Sequence, residues 1–234
     1  MDIAFIGHTA YVLVTLVADD VLGDSTVGIY KVVGRNRFHE VADIGTYART
    51  HQPTGFPIGV PTGVQYAMEP YGRSFLVTDG HHNRVYYVTL DGHISEFMTF
   101  GNIVPTGLEL FGPFVLMAQA GPVPHNPEDG KVVVFGPWSS QVLQIGSGAR
   151  LLVDIELGRG LRLYGLSQGA FTEGNADGSP ANPNTGALME LKRNGQFETV
   201  VDGLDRPTSL EIIGDTAYVV TLGGEIWKIS NLPR

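Results

Sequence analysis

The chemically suggestive residues cluster in short polar stretches between apolar runs. Asp79, His81 and His82 fall within four positions of one another in DGHHN, residues 79–83. An imidazole beside a carboxylate could exchange protons near neutral pH or contribute to a divalent-metal site. His51 and His125 lie in comparable stretches, together with Asp19, Asp20, Asp24, Glu128, Asp129 and Glu173. Asn175, Asp177, Asn182 and Asn184 offer oxygen donors that would suit Ca²⁺, without the spacing of an EF-hand loop. Asx-rich turns are also made of such residues, and they form local side-chain hydrogen bonds without any ligand. Adjacent histidines on a tight loop point to opposite sides, so one ring can simply cover apolar surface. No GxSxG, HExxH, Walker or GxGxxG pattern is present. Trp138, near the end of a long polar excursion, could stack on a ligand, whereas Trp227 sits in an apolar strand and is expected in the core.

The elements that must hold these residues are read from a repeat. IGDTAYV at 213–219 differs in one position from a copy at the other end of the chain, IGHTAYV at 6–12. Pro207–Ile229 reads as three strands joined by the Gly214-Asp215 and Gly223-Gly224 turns, rich in β-branched and aromatic residues. Openings of the first strand recur as PTGV (61–64), PTGL (105–108) and PTSL (207–210), with YGL (164–166) a worn copy. Third strands recur as VGIYKV, RVYYVT, QVLQI, GALMEL and EIWKI, and four of them are followed by a hairpin and a fourth strand. KVVVF (131–135) could instead be a third strand, with QVLQI as the fourth; the likeness of QVLQI to EIWKI favours the first register. Units of ~40 to 55 residues with four antiparallel strands are β-propeller blades. The expectation is an all-β, single-domain propeller of about five blades, near 1–45, 60–100, 104–156, 163–203 and 206–230, the last lacking its outer strand.

The strand count also sorts the loops. First-to-second and third-to-fourth turns are short, whereas second-to-third loops and the connection at 46–59 are long and share the opposite end of the blades. Elaborated loops on a rigid scaffold are where binding residues concentrate, so this end is the expected functional face. Composition narrows the partners. A net charge of −9 disfavours nucleic acid. Zero cysteines exclude thiolate chemistry and disulfides. No apolar run suggests a membrane span, and no leader-like segment precedes the first strand. An unpaired edge on the last blade is open to pairing with another chain, which makes a homo-oligomer an expectation.

The strand openings, DGHHNRVYYVTLDGHISE (79–96), YGLSQGAFTEG with GSPANPNTGALMEL (164–191) and DGLDRPTSLEIIGDTAYVVTLGGEIWKI (202–229) resemble the NHL/SMP-30/virginiamycin-lyase-like propellers. Within that group the chain looks most like the ScyD/ScyE family. The resemblance implies a fold usually built of six blades, in proteins that are often exported. It leaves compartment and ligand open. The enzymatic relatives place metal-binding residues at the start of inner strands. The matching slots here hold Asp2, Thr62, Thr106, Tyr164 and Thr208, of which only Asp2 has a metal-binding side chain. The expectation is therefore a non-catalytic propeller binding a small molecule or protein without a cofactor. Candidate contacts are Asp79, His81, His82, Thr62, Thr106, Tyr164 and Thr208. The alternative is a metal-dependent lactonase- or lyase-like enzyme, with Asp177, Asn182 and Asn184 as further weak metal candidates.

Overall fold

In the computed structural model, residues 2–15, 26–56, 58–175 and 179–233 are described. The fold is an all-β propeller of five antiparallel blades, four with four strands and the last with three. Two compact units divide the chain, Met1–Pro105 and Thr106–Arg234. The first unit holds blades one and two. Blade one is β1 (Asp2–Ile6), β2 (Thr9–Val14), β3 (Gly28–Gly34) and β4 (Arg37–Asp43). Blade two is β5 (Gln65–Tyr71), β6 (Ser74–Asp79), β7 (Arg84–Thr89) and β8 (Ile94–Thr99). The second unit holds blade three, β9 (Pro105–Phe111), β10 (Phe114–Gln119), β11 (Lys131–Gly136) and β12 (Ser139–Ser147), whose first residue lies just before the division. It continues with blade four, β13 (Leu152–Leu157), β14 (Leu163–Ser167), β15 (Gly186–Leu191) and β16 (Phe197–Leu204). Blade five is β17 (Pro207–Ile213), β18 (Thr216–Thr221) and β19 (Ile226–Ser230).

A tyrosine in the second strand marks one register in three blades. Tyr11 lies opposite Ala4 and Lys31, Tyr164 opposite Glu156 and Glu190, and Tyr218 opposite Glu211 and Lys228. Alternation along each strand sends one set of side chains to each face of the sheet. Each unit buries a core where successive sheets pack. In the first, Leu13 and Ile29 of blade one meet Phe75 and Tyr86 of blade two. In the second, Leu116 and Val132 of blade three meet Leu152 and Ile155 of blade four. Carboxylates pin these junctions. Asp2 Oδ2 accepts from Met68 N at 2.7 Å, and Asp154 Oδ2 accepts from Leu210 N at 2.7 Å.

The structure corrects the strand assignment around blades three and four. KVVVF is the third strand of blade three and QVLQI lies in the fourth. Burial explains the choice: Val132, Val133 and Phe135 are buried, whereas Val142, Leu143 and Ile145 are exposed on an outer strand. The run at 149–155, which falls at the end of the third expected unit (104–156), instead leads into β13, the first strand of blade four, and Leu152, Val153 and Ile155 are buried. Tyr164 consequently lies on a second strand, so it does not occupy the inner-strand slot assigned from sequence. Trp138 moves too, to the tip of the β11–β12 hairpin, where it is exposed. Residues 61–64 form a turn ahead of β5 instead of opening it.

The connection after β4 also differs from an expected loop. It begins with helix α1 (Ile44–Thr50), capped by the Asp43 side chain, which accepts from Thr46 N at 2.8 Å. Among the described residues, no helix is long and apolar enough to cross a membrane.

Candidate functional site

DGHHN joins β6 to β7, and its geometry follows from Asp79 at the end of β6. That carboxylate is fully buried and accepts five hydrogen bonds. Oδ1 accepts from the backbone N–H groups of Val64 (2.9 Å), His81 (3.2 Å) and His82 (3.0 Å). Oδ2 accepts from Gln65 Nε2 at 3.1 Å and from the Tyr86 hydroxyl at 3.0 Å. An anion so surrounded organises its loop, and its lone pairs are committed. Burial and the Asp79 charge push the Tyr86 hydroxyl above its usual range, which keeps it a donor.

The two histidine rings divide as their adjacency suggested. His81 Nε2 accepts from Gly59 N at 2.8 Å and from Val60 N at 3.0 Å, which requires its proton to sit on Nδ1. The ring therefore pins the 59–60 segment to the loop. His82 is buried, and its Nε2 lies 3.1 Å from Val60 O, a bond it donates when protonated there. Its Nδ1 makes no hydrogen bond and lies 3.7 Å from Asp79 Oδ2. Burial lowers the His82 pKa despite the opposing effect of Asp79, favouring a neutral ring. Asn83, at φ 54°, completes the corner by accepting from Ile103 N and Val104 N, each at 2.8 Å.

Beside this corner lies a cleft of about 330 Å³ within the first unit. His82, Asn83 and Arg84 form its buried floor, and Gln52, Thr54 and Thr99 are exposed at its rim. Phe56 and Phe100 are half-buried in its wall. Arg84 is paired with Glu96, and its guanidinium carbon lies 5.7 Å from the centre of the Tyr86 ring. The cleft thus offers a fixed cation–carboxylate pair, polar rim groups and aromatic surface. It opens among the 80–83 loop and the segments flanking blade two, the loop end expected from the strand count.

The remaining candidates do not join this corner. Thr62 lies in the turn before β5, where its carbonyl accepts from Gln65 Nε2 at 2.8 Å. Thr106 and Thr208 donate their hydroxyls to Leu152 O (2.8 Å) and Val220 O (3.2 Å). Tyr164 is buried and donates to Pro233 O at 3.3 Å. His51 stacks on Tyr47 at 4.1 Å after α1, and His125 places Nδ1 2.7 Å from Gly121 O in the second unit. Asp19, Asp20, Asp24 and Asp177 lie outside the described residues. Asn182 Oδ1 accepts from Thr172 at 2.8 Å, and Asn184 takes a left-handed turn conformation at φ 57°. Among the described residues, no group of three or more His, Cys, Asp or Glu side chains is arranged to hold a metal ion.

One acidic pattern escaped the sequence reading. Glu69, Glu109, Glu156 and Glu211 recur in the first strands of blades two to five, within AME, GLE, DIE and SLE. Their common position lies downstream of the strand-opening slots compared above. In the second unit, protonated Glu156 hydrogen-bonds Glu109, with Asp154 and Glu211 close enough to act on it. Burial, that bond and the neighbouring charges push its carboxyl up to about 11. The signal was legible as a glutamate following an apolar residue in the first strands of blades two to five.

The fold has solved counterparts. A chain in the nidogen–laminin complex aligns over 98% of this chain and 75% of its own, with TM-score 0.66 and 11% identity. Virginiamycin B lyase from Staphylococcus aureus, in a catalytically inactive form with quinupristin, aligns over 100% and 70%, with TM-score 0.51 and 12% identity. A putative gluconolactonase aligns over 72% and 63%, with TM-score 0.50 and 14% identity. At these identities the likeness concerns the propeller fold alone. No family model matches the sequence, and no curated protein matches it.

Proposed function

We propose that the protein is a non-catalytic binding module and that the cleft of the first unit holds a small polar ligand with a flat apolar face. The observation that carries this reading is the division of labour around Asp79. Asp79 and His81 are bound to backbone and neighbouring side chains, His82 is buried with Nε2 beside Val60 O, and the adjoining cleft presents polar groups at its rim and half-buried Phe56 in its wall. Such a site selects by shape and by a few fixed polar contacts. The alternative is a metal-dependent lactonase- or lyase-like enzyme, in which a bound divalent ion would act as Lewis acid or activate water.

A thermal-shift screen of small polar compounds tests the reading. A ligand of the native state should raise the melting temperature with concentration. Thr54→Trp at the rim should reduce that shift at each ligand concentration while leaving the melting temperature of the free protein unchanged. Lactone hydrolysis or lyase turnover by the purified protein, with or without divalent metal, would refute the non-catalytic assignment.

A further inference from the structure

Arg84 is the floor group of the cleft whose hydrogen-bonding capacity is not spent within the protein. Its neighbours are committed. Asn83 Oδ1 accepts from Ile103 N and Val104 N, and its Nδ2 donates to His81 O at 3.4 Å. His82 Nε2 faces Val60 O. The Arg84 side chain is 2% exposed and carries its N–H donors in a rigid fork. Nε donates to His82 O at 3.5 Å, and Nη1 donates to Glu96 Oε1. Nη2 has no hydrogen-bond partner among the described residues, yet it is not sealed from solvent. It therefore sits at the cleft that Arg84 lines. A guanidinium nitrogen in such a place is costly to leave empty and needs an acceptor from water or a ligand.

Glu96 supplies the opposite polarity. Its side chain lines the same cleft and is 40% exposed, with Oε1 engaged by Arg84 and Oε2 free of hydrogen bonds among the described residues. The pair thus sets N–H donors beside a carboxylate acceptor, and its two charges cancel. Gln52, Thr54 and Thr99 at the rim are uncharged. A carboxylate ligand would meet Glu96 as a like charge, and an ammonium would meet Arg84 as one, so the pair selects against both. What satisfies it is a neutral edge with an acceptor next to an N–H donor. Phe56 offers an apolar face on which a planar group can lie. The volume of about 330 Å³ is at the small end of the roughly 300–1,000 Å³ of ligand pockets and suits one or two rings.

We propose that the cleft recognises a neutral planar ligand through an amide-type edge, its carbonyl accepting from Arg84 and its N–H donating to Glu96. Aromatic carboxamides, lactams and nucleobases carry such an edge. The inference rests on the cleft being a binding site and adds the class of its occupant.

The test is a set of NMR titrations of the full chain with four probes. Benzamide carries the complete edge. Acetophenone has methyl in place of the NH₂ group, benzoate has a second acceptor oxygen and a negative charge, and glucose is neutral and polar without a planar ring. Benzamide should saturate, with a dissociation constant at least about tenfold below that of each other probe, because only its N–H pairs with Glu96. Thr54→Trp should weaken that binding. Glu96→Gln keeps an acceptor for Arg84 and removes the negative charge, so benzoate should now bind more tightly than benzamide. The wild-type order remains the readout should that variant misfold. Acetophenone, benzoate or glucose binding as tightly as benzamide, with sensitivity to Thr54→Trp, would overturn the inference and leave the cleft a binding site. A folded Glu96→Gln that keeps the benzamide preference would overturn it as well. Saturation by none of the probes would also overturn it, and the binding reading falls too if the compound screen yields nothing sensitive to Thr54→Trp.

Discussion

At Asp79, a buried carboxylate gathers three backbone donors, a glutamine and a tyrosine, so its worth is structural. Asp79→Ala should cost on the order of 3 kcal/mol or more, since each buried donor left unpaired costs about 1–3 kcal/mol. Chemical denaturation measures that loss. Glu156 behaves oppositely. Its folded-state pKa is raised from 4.5 to about 11, so the folded protein holds a proton that the unfolded chain releases. The stability associated with that proton is complete below pH 4.5 and drains as pH rises towards 11. Glu156→Gln keeps the hydrogen bond to Glu109 without the ionisation. It should stabilise the protein at pH 8 and flatten stability between pH 5 and 9, as read by melting temperature across that range. The DGHHN cluster was visible in sequence. Its commitment to backbone was not, because Val64 and Gly59 come within reach only once the blade is folded.

Among the elements, the third strands of blades one and four begin at a glycine with little room around it, and that of blade three begins directly after one. A Cβ on Gly28 would sit 1.9 Å from Ala42 O, and one on Gly130 would sit 1.7 Å from Ala149 O. At Gly186 it would lie 2.4 Å from Pro207 Cδ. The chain following the fourth strand, or the end of that strand, passes against this point, so the sheet must shift to admit a methyl group. Gly130→Ala should destabilise by about 1–3 kcal/mol, the usual cost of overpacking, in a denaturant titration. These glycines help explain why turn and strand signals were readable while the register of blades three and four was not. KVVVF, QVLQI and LLVDI share the same β-forming composition. What separates an inner from an outer strand is coverage by the adjacent sheet, a tertiary property. Helix α1 was missed for a related reason: seven residues are too few to establish a helical period, and the Asp43 cap was the remaining signal.

At the scale of the whole molecule, five repeated sheets provide a frame, and the cleft proposed as the binding site lies within the first unit. The repeat was legible because IGHTAYV and IGDTAYV survive nearly intact, and the long-loop end followed from counting strands. The cleft itself was not legible, since Gln52 and Thr54 meet Arg84 and Glu96 only through the path of the chain after α1. The central claim is binding without turnover at this cleft. Its most direct measurement is a calorimetric titration of the strongest ligand from the thermal-shift screen into wild type and Thr54→Trp, with mass spectrometry of the ligand afterwards. The account predicts saturable binding by the wild type, at least about tenfold weaker binding by the variant, a loss of about 1.4 kcal/mol, and ligand recovered unchanged. Equal affinity in both proteins, or recovery of a converted product, would contradict it.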